Sequence, residues 1–469
     1  MDGFKVIEGG KSHNESHNED GDLQKIPRFL SPGGDLLVQE DAATLLTNGD
    51  TAGSTPIATP GVGAITDNVS AATAREPSAI EPHQRRWAWA QIDREAISQN
   101  LKTLRKHIGP DSMILTVVKA DGYGHGAVEV AKVAMRSGSK YLGVASVCEG
   151  IELRRAGIDA PIIILAEPPI DSIAEILHYD LVPALYTSEF ALALGERADA
   201  AGCVAPYHLK IDSGMNRIGV HYSDAGDFLR SLAFHRGLEL QGCFTHFATA
   251  DTMDTLGLKM QQERFEQALE TIRYMGMDPG IVHAANSAAA IRYKHTRYDM
   301  VRLGISVYGL HPSKLTKDLI KLRPAMSVRA RVNSIKPVPL GEGVSYGFNY
   351  RSPGGVLIAT IPIGYGDGLS RVLSDRIDIL VDGYAYPQVG TICMDMCMFE
   401  VSQRQDISNI RQAQLSAARP SVEFGSEAII IGRSGEQEIS MDDIAEKMGT
   451  ISYDLACMFG LRLERVYKN

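Results

Sequence analysis

The sequence predicts an α/β fold, a (β/α)8 TIM-like barrel, followed by a C-terminal β domain. Eight short apolar runs lie between residues 113 and 309, separated by amphipathic segments of helix length. This alternation is typical of a parallel sheet that helices cover on both faces. From residue 326 the pattern changes to strand-like alternation with Gly and Pro turns, which indicates a second, all-β domain.

Composition and charge limit the classes of function. The chain has 469 residues, of which 44% are hydrophobic, so it can bury more than one core. Much of the net charge of −10 lies in residues 1–85, which hold 6 Lys/Arg and 13 Asp/Glu. The remainder is nearly neutral, so no basic face indicates nucleic acid as a partner. No apolar run has the length of a membrane span, so no membrane partner is expected.

Residues 1–85 are predicted to be a disordered polar tail. Segments such as KSHNESHNEDGD cannot bury enough apolar surface to offset the entropy lost on ordering. The tail lacks the basic start and apolar core of a secretory signal, and it has too many acids for a transit peptide. The six cysteines are scattered, without a CxxC pair or a Cys/His cluster. A reducing, cytoplasmic location and no metal site are therefore expected.

Residues 86–325 are assigned to the barrel. Its strand-like runs are MILTVVKA (113–120), YLGVASV (141–147), PIIILA (161–166), LVPALY (181–186), PYHLKID (206–212), LQGCFTHF (240–247), GIVHAA (280–285) and MVRLGISVYG (300–309). An earlier strand at 86–94 is expected to pair with the β domain. A doubly wound sheet is the alternative, but its GxGxxG turn does not follow the first of the eight runs.

Residues 326–469 are assigned to the β domain. Alternating runs such as MSVRARVNSIKPV and IDILVDGYAYPQVG predict its strands. The polar stretch 402–424 predicts a surface insertion. SMDDIAEKMG predicts one short helix, which Ser440 caps and Gly449 ends.

Polar side chains follow the barrel strands, at the end where active sites of such barrels lie. They are Lys119 after the first run, Lys210 and Arg217 after the fifth, His246 after the sixth, Asn286 and Ser287 after the seventh, and Arg302 in the eighth. Lys119 alone could simply extend to solvent. A whole rim of polar groups on an apolar barrel is hard to explain by packing, so a binding site is expected here.

A phosphate site is expected at the loops after strands seven and eight. Ser287 can supply a hydroxyl, and the Gly304–Ile305 turn can supply backbone N–H groups. A phosphate site facing a strand-end lysine suggests pyridoxal 5′-phosphate attached to Lys119. The glycines at 122, 124 and 126 are expected to keep side chains away from the cofactor.

Eight segments of the chain resemble the alanine racemase family. They are VVKADGYGHG, SGMNRIG, THFATAD, HAANSAA, VRLGISVYGL, GEGVSYGFNY, IPIGYGDG and VGTICMDMCM. They occur in order from about Trp87 to the C-terminus, in both domains. The resemblance implies a fold-type III enzyme with bound pyridoxal phosphate, a homodimer that interconverts L-alanine and D-alanine.

The resemblance implies two catalytic bases on opposite faces of the substrate. Lys119 matches the lysine that carries the cofactor and exchanges the Cα proton on one face. Tyr346 matches the tyrosine that serves the other face in the partner's active site. A tyrosine with an ordinary pKa of about 10 is a poor base at neutral pH. His246 matches the histidine that assists this tyrosine. Without the flanking motif, Tyr346 would be interpreted as an aromatic residue that packs on a sheet.

Further matches concern cofactor and substrate contacts. Residues matching cofactor contacts are Tyr123, Ser287, Gly304 and Ile305 near the phosphate, Arg302 at the pyridine nitrogen, and also His246 and Asn286. Those matching substrate contacts are Arg217, the backbone of Met394 from the partner, and the adjacent Asp395. Lys210 matches a lysine that is often carbamylated in the family. A buried lysine paired with a carboxylate is the alternative.

The C-terminal segment departs from the family pattern. Leu461 stands where a second tyrosine near the phosphate is usual, so one hydroxyl is expected to be missing from the site. Three alternatives remain at this point: a serine or broader racemase, a non-catalytic pyridoxal-phosphate barrel, and a fold-type III decarboxylase. Tyr346 and Met394 argue against the second, which lacks the β domain. Arg302 argues against the third, which uses a carboxylate at the ring nitrogen.

Overall fold

The computed structural model describes residues 85–401 and 422–469. Nearly all of the tail predicted at 1–85 and most of the insertion predicted at 402–424 lie outside these residues. The described chain begins with strand β1 (Ala88–Asp93). None of its helices combines the length and the apolar character that crossing a membrane requires.

Eight parallel strands form a nearly closed barrel. The strands are β2 (Met113–Val117), β3 (Tyr141–Val144), β4 (Ile162–Ile164), β5 (Val182–Leu185), β6 (Ala205–Asp212) with the short β7 (Val220–His221) beside it, β8 (Leu238–Phe244), β9 (Ile281–His283) and β10 (Met300–Leu303). The last strand, β10, pairs with the first, β2. Between β9 and β10, Arg302 N–H donates to Ala285 O at 2.9 Å. The predicted barrel is confirmed, and each apolar run supplies one strand.

One helix, α1, precedes the first barrel strand, and further helices follow the strands. They are α1 (Arg94–Ile108), α2 (Ala127–Arg136), α3 (Val147–Arg155), α4 (Ile173–His178), α5 (Ser188–Ala201), α6 (Ala225–Leu232), α7 (Thr255–Tyr274), α8 (Ser287–Arg292) and α9 (Lys314–Lys317). Several begin at a side-chain cap; Asn286, for example, accepts the Ala289 N–H at 3.0 Å at the start of α8. Where such a cap is present, it sets where the helix starts and therefore which residues remain at the strand end.

The second domain contains a seven-stranded sheet that includes β1. Its other elements are β11 (Met326–Arg331), β12 (Ser334–Val338), β13 (Gly343–Val344), β14 (Tyr350–Arg351), β15 (Val356–Ile361), β16 (Asp378–Val381), β17 (Tyr384–Pro387), β18 (Cys397–Glu400), β19 (Glu427–Ser434), β20 (Gln437–Ile439) and β21 (Glu464–Lys468). β1 lies between β11, which is antiparallel to it, and β21, which is parallel. The described part of the chain therefore starts in the second domain and enters the barrel through α1. The strands β12, β15 and β18 form a separate three-stranded sheet.

Two helices, α10 (Met441–Met448) and α11 (Ser452–Met458), belong to the second domain. Helix α10 is the predicted one: the Ser440 hydroxyl accepts the Asp443 N–H at 3.1 Å, and Gly449 ends the helix with φ 74°. Helix α11 was not predicted, because its seven residues are too few to show a clear period. It is the element of this domain that reaches the barrel pocket.

Candidate active site

A cavity of about 500 Å³ lies at the carboxyl ends of the barrel strands. It gathers all of the site residues predicted in the barrel: Lys119, Tyr123, Lys210, Arg217, His246, Asn286, Ser287, Arg302, Gly304 and Ile305. Four of these side chains are those of lysine or arginine, and none of the described residues that line the cavity is Asp or Glu. Clustered like charges repel one another unless a ligand neutralises them. The cavity is therefore suited to an anionic ligand.

Lys119 stands at the entry to a left-handed turn. Strand β2 ends at Val117, and residues 120–123 all have φ between 50° and 60°. For residues other than glycine, this conformation costs roughly 1–2 kcal/mol each. Three of the four residues are not glycine, so surrounding contacts must hold the turn. The lysine thus lies on a constrained segment beyond the strand rather than in the strand itself.

The glycines after this turn make room for the C-terminal segment. A Cβ atom at Gly124 would lie 2.3 Å from Ala456 O, and one at Gly126 would lie 1.8 Å from Tyr467 Oη. Both glycines also have positive φ, at 76° and 91°. The expectation that these two glycines clear space for a cofactor is wrong, because they allow α11 and β21 to approach the turn.

A cradle for a phosphate lies beside the turn. The Ser287 hydroxyl accepts the Gly304 N–H at 3.0 Å. Ile305 begins a one-turn 3-10 helix, Ile305–Tyr308, in which the first N–H groups have no partner within the helix. The Tyr123 hydroxyl faces the same place, 2.7 Å from where a Gly304 Cβ would stand. Hydroxyl and backbone N–H donors around a gap without a side chain fit the phosphate of pyridoxal phosphate.

Replacing Gly304 by alanine is expected to weaken cofactor binding by at least about tenfold. The added Cβ would displace the Tyr123 hydroxyl, since an atom at 2.7 Å is closer than real Cβ contacts allow. Gly304 has φ −107° and ψ −104°, outside the regions that alanine favours, so some loss of stability is also expected and must be separated from the loss of affinity. Equilibrium dialysis with pyridoxal phosphate measures the affinity, and the thermal midpoint of the cofactor-free protein serves as control. An unchanged affinity would contradict a phosphate in this cradle.

Arg302 is buried behind the cavity, with 4% of its surface exposed. Its guanidinium donates to the carbonyl oxygens of Thr245 at 2.7 Å, Ala284 at 2.9 Å and His283 at 3.1 Å. It also lies 3.1 Å from Nδ1 of both His246 and His283. Burial lowers its pKa to about 9, and the charge of Arg217 contributes. All these partners are neutral acceptors, so no carboxylate among residues 85–401 and 422–469 is paired with this arginine.

Arg302 determines where its two histidines carry their protons. Burial, with positive neighbours adding to it, lowers the pKa of His246 and of His283 well below the ordinary range, so both rings are neutral at pH 7. A guanidinium only donates, so Nδ1 of each ring must accept and Nε2 must carry the proton. The Nε2–H of His283 then donates to Nδ1 of His208 at 2.8 Å. The Nε2–H of His246 remains available, because its neighbour at 3.5 Å, the Asn286 amide nitrogen, is itself a donor.

Lys210 is buried beside this network, with 3% of its surface exposed. Its ammonium donates to Ile211 O at 3.1 Å and lies 5.3 Å from the centroid of the Phe244 ring. Burial lowers its pKa from 10.5 to about 7, and the charge of Arg302 adds to the effect. The hydrogen bond goes to a carbonyl, so the alternative of a lysine paired with a carboxylate is not what the structure shows.

Replacing Lys210 by methionine is expected to stabilise the fold most below pH 7. There, both the folded and the unfolded chain hold the charged lysine, so the folded state bears the full cost of burying it. Between pH 7 and 10.5 the lysine loses its proton in the folded chain before it does so in the unfolded chain. The stability gained by the substitution therefore shrinks as pH rises. The gain should reach a few kcal/mol, at about 1.4 kcal/mol for each pKa unit. Denaturant midpoints in bicarbonate-free buffer test this, and a gain independent of pH would contradict it.

The predicted site residues of the second domain do not line this cavity. Tyr346 is 70% exposed, and Met394 is 50% exposed. The Thr391 hydroxyl donates to Tyr346 O at 2.8 Å, and the Gly366 N–H donates to Met394 O at 2.9 Å. Asp395 forms an ion pair with Arg462. These backbone contacts fix segments whose Tyr346 and Met394 side chains project from the surface of their own chain.

Three residues in or near the cavity were not predicted as site residues. Tyr453 of α11 lines it, and His208 and His283 lie behind Arg302. A histidine within the apolar runs PYHLKID and GIVHAA was the available signal for the last two. Leu461 is 87% exposed and does not line the cavity, so the expectation that it removes a hydroxyl from this site is wrong.

Known families and proteins that are similar to this chain agree with the fold and the cavity described above. The family model "Alanine racemase, N-terminal domain" matches residues 92–312, and "Alanine racemase, C-terminal domain" matches residues 325–467. The alanine racemase of Nostoc sp. is 37% identical over 382 residues, which is 81% of this chain and 95% of that protein. That of Carboxydothermus hydrogenoformans is 38% identical over 380 residues, or 81% of this chain and 99% of that protein.

Solved structures show the same fold. Alanine racemase from Bacillus anthracis with bound L-Ala-P superposes with a TM-score of 0.75 at 36% identity, covering 82% of this chain and 95% of that one. A histidine racemase from Leuconostoc mesenteroides has a TM-score of 0.73 at 29% identity, covering 83% of this chain and 99% of that one. The chain therefore belongs to the alanine racemase family and is an amino-acid racemase.

Proposed function

We propose that this protein is a pyridoxal-phosphate-dependent alanine racemase that interconverts L-alanine and D-alanine and so supplies D-alanine. The observation that carries the proposal is a single cavity that combines Lys119, a phosphate cradle and an arginine without a carboxylate partner. The names of the relatives support alanine as the substrate. When bound, pyridoxal phosphate withdraws electrons from the substrate Cα and makes its proton removable.

The barrel residues would hold the cofactor at three points. Tyr123, Ser287 and the Gly304–Ile305 amides would bind the phosphate, and Lys119 would bind the aldehyde carbon. Arg302 would face the ring nitrogen, and its neutral partners suit that position. A guanidinium does not readily transfer a proton, so it leaves that nitrogen short of full protonation. Rapid return of the Cα proton is then favoured over side reactions such as transamination.

Two bases would exchange the Cα proton on opposite faces of the substrate. The Lys119 amine serves one face, and the phenol of Tyr346 of the partner subunit serves the other. The Nε2–H of His246 is available to donate to that phenolate, because Arg302 occupies Nδ1. Such a hydrogen bond would stabilise the phenolate, which is the form that accepts the Cα proton.

We infer a homodimer in which each site uses both subunits. The exposure of Tyr346 and Met394 supports this, since neither side chain reaches the cavity of its own chain. The substrate carboxylate would bind Arg217 of one subunit and the Met394 N–H of the other, near Asp395. The free state of all six cysteines supports a reducing, cytoplasmic location.

We also propose that Lys210 is carbamylated. A lysine with a pKa of about 7 is about half neutral at pH 7, and a neutral amine can add to CO2. The resulting negative carbamate would lie among the positive charges of Arg217 and Arg302. Incubation with ¹³C-bicarbonate should give a carbamate carbon signal that Lys210→Met abolishes. The same signal in that variant would contradict the assignment to Lys210.

A broader amino-acid racemase is the second candidate, which the likeness to a histidine racemase favours. A coupled D-amino-acid assay with L-alanine, L-serine, L-lysine and L-histidine distinguishes the two. We expect D-alanine to form with the highest kcat/KM. Turnover of another amino acid in preference to alanine would favour the second candidate. No racemisation by protein loaded with the cofactor would contradict both.

A further inference from the structure

We propose that Glu149 is a positioning residue for Lys119: its carboxylate holds the start of the left-handed turn and so directs the lysine amine into the cavity. The role of Lys119 itself rests on the proposed function. Glu149 lies in the first turn of α3, after the neighbouring strand β3. It does not line the cavity, so its effect must pass through the backbone that carries Lys119.

The carboxylate of Glu149 joins two strand ends. Its Oε1 accepts the N–H of Ala120 at 2.7 Å. Its Oε2 accepts the N–H of Ala145 at 2.7 Å and that of Ser146 at 3.2 Å. Hydrogen bonds to a charged acceptor are about twice as strong as neutral ones. One side chain therefore fixes the loop after β2 against the loop after β3, and both Lys119 and Ala145 line the cavity.

The bond to Ala120 acts at the peptide unit that follows Lys119. That unit contains the carbonyl of Lys119 and the N–H of Ala120, so fixing the N–H direction fixes the ψ angle of the lysine. Ala120 has φ 52°, a conformation that alanine disfavours, and its N–H would otherwise face solvent. Without the carboxylate, the first residue of the turn would lose the contact that opposes its relaxation.

The far end of the turn has a separate anchor. Arg465 of β21 donates to Gly124 O at 2.9 Å, and its guanidinium lies 3.8 Å from Asp121. The contact to Gly124 acts on the end of the turn away from the lysine. At the end next to Lys119, the Gly122 N–H donates to Val118 O at 2.8 Å within the backbone, and Glu149 supplies the side-chain contact to Ala120. Among these side chains, Glu149 is therefore the one whose loss should affect the lysine most directly.

The alternative is that Glu149 only caps helix α3. It forms a capping box with Ser146, in which the Ser146 hydroxyl accepts the Glu149 N–H. The variant Glu149→Gln separates the two roles. A glutamine has one acceptor oxygen, which can keep the pair of bonds to Ala145 and Ser146. Its amide nitrogen would then face the Ala120 N–H, where two donors cannot bond. Ser146→Ala is the matched control, because it weakens the cap and leaves the Ala120 bond intact.

Hydrogen exchange in the cofactor-free, full-length protein tests the positioning directly. We expect Glu149→Gln to speed exchange in the peptide containing Ala120 by at least about tenfold. Attachment of added pyridoxal phosphate to Lys119, followed by absorbance, should slow in the same variant. Ser146→Ala should lower the thermal midpoint without either change. Unchanged exchange at Ala120 in Glu149→Gln, or equal changes in both variants, would overturn the proposal.

Kinetics of the loaded enzyme give a second readout. A misplaced catalytic group lowers the rate of the chemical step more than it weakens substrate binding. The kcat for L-alanine should therefore fall roughly 10- to 100-fold, while KM stays within about threefold of the wild-type value. A fall as large in Ser146→Ala would assign Glu149 to capping alone. If the wild-type enzyme does not racemise, the proposed function fails, and hydrogen exchange and cofactor attachment still decide the role of Glu149.

Discussion

Mixing inactive Lys119→Ala and Tyr346→Phe proteins is expected to restore about one quarter of the wild-type activity, if subunits exchange freely in a twofold-symmetric dimer. Half of the dimers would then be mixed. In each mixed dimer, one site lacks both groups. The other combines Lys119 of one subunit with Tyr346 of its partner and is intact. The exposure of Tyr346, at 70%, is the observation that predicts this complementation.

Each variant alone should lose most of its activity. Tyr346→Phe removes the proton carrier on one face, and a single acid–base group typically contributes 10²–10⁴ in rate. Lys119→Ala removes both a proton carrier and the amine that holds the cofactor, so its loss should exceed that of Tyr346→Phe. Tyr346→Phe should still attach pyridoxal phosphate to Lys119, which the absorbance of the bound cofactor reports.

A matched control for the mixing experiment uses two barrel residues. Lys119→Ala mixed with Arg302→Lys should restore no activity beyond that of the Arg302 variant. Both residues line the same cavity of one chain, so every site in a mixed dimer carries one defect. Restoration only in the first mixture would support sites shared between subunits. No restoration in either would mean that Tyr346 acts within its own chain or is not a base.

The second large effect is expected from Arg302→Lys, with kcat falling about 100-fold or more. The guanidinium holds three carbonyl oxygens and two imidazoles, and an ammonium has only three donors. Hydrogen bonds to charged groups each contribute about 1.5–3 kcal/mol. With Nδ1 of His246 no longer held, the ring can change tautomer and lose the Nε2–H directed towards the cavity.

Arg297→Lys is the control for the stability part of this effect. Arg297 is also buried, and it donates to the carbonyl oxygens of Ala290 and Ile108, both at 2.9 Å, away from the cavity. Both variants should lower the thermal midpoint, but only Arg302→Lys should lower kcat strongly. Equal losses of kcat would show that the effect of Arg302 is general destabilisation.

The barrel was predictable because parallel strands buried on both faces require continuous apolar sequence. Each of the eight runs therefore marked a strand, and the strand ends marked the cavity residues from Lys119 to Ile305. The pairing of β1 with the second sheet was predicted, but its place between β11 and β21 follows from contacts with segments more than 200 residues away in sequence. Helix α11 escaped prediction, although its Tyr453 lines the cavity.

The sequence by itself determined the architecture of the barrel and the residue types at its rim, because strand periodicity and strand ends are local properties of the chain. Only the tertiary structure decided how those residues act. The left-handed turn after Lys119 depends on Glu149 and Arg465, and the protons of His246 and His283 depend on Arg302. In each case the deciding group lies tens to hundreds of residues away in sequence, so no local pattern could reveal it.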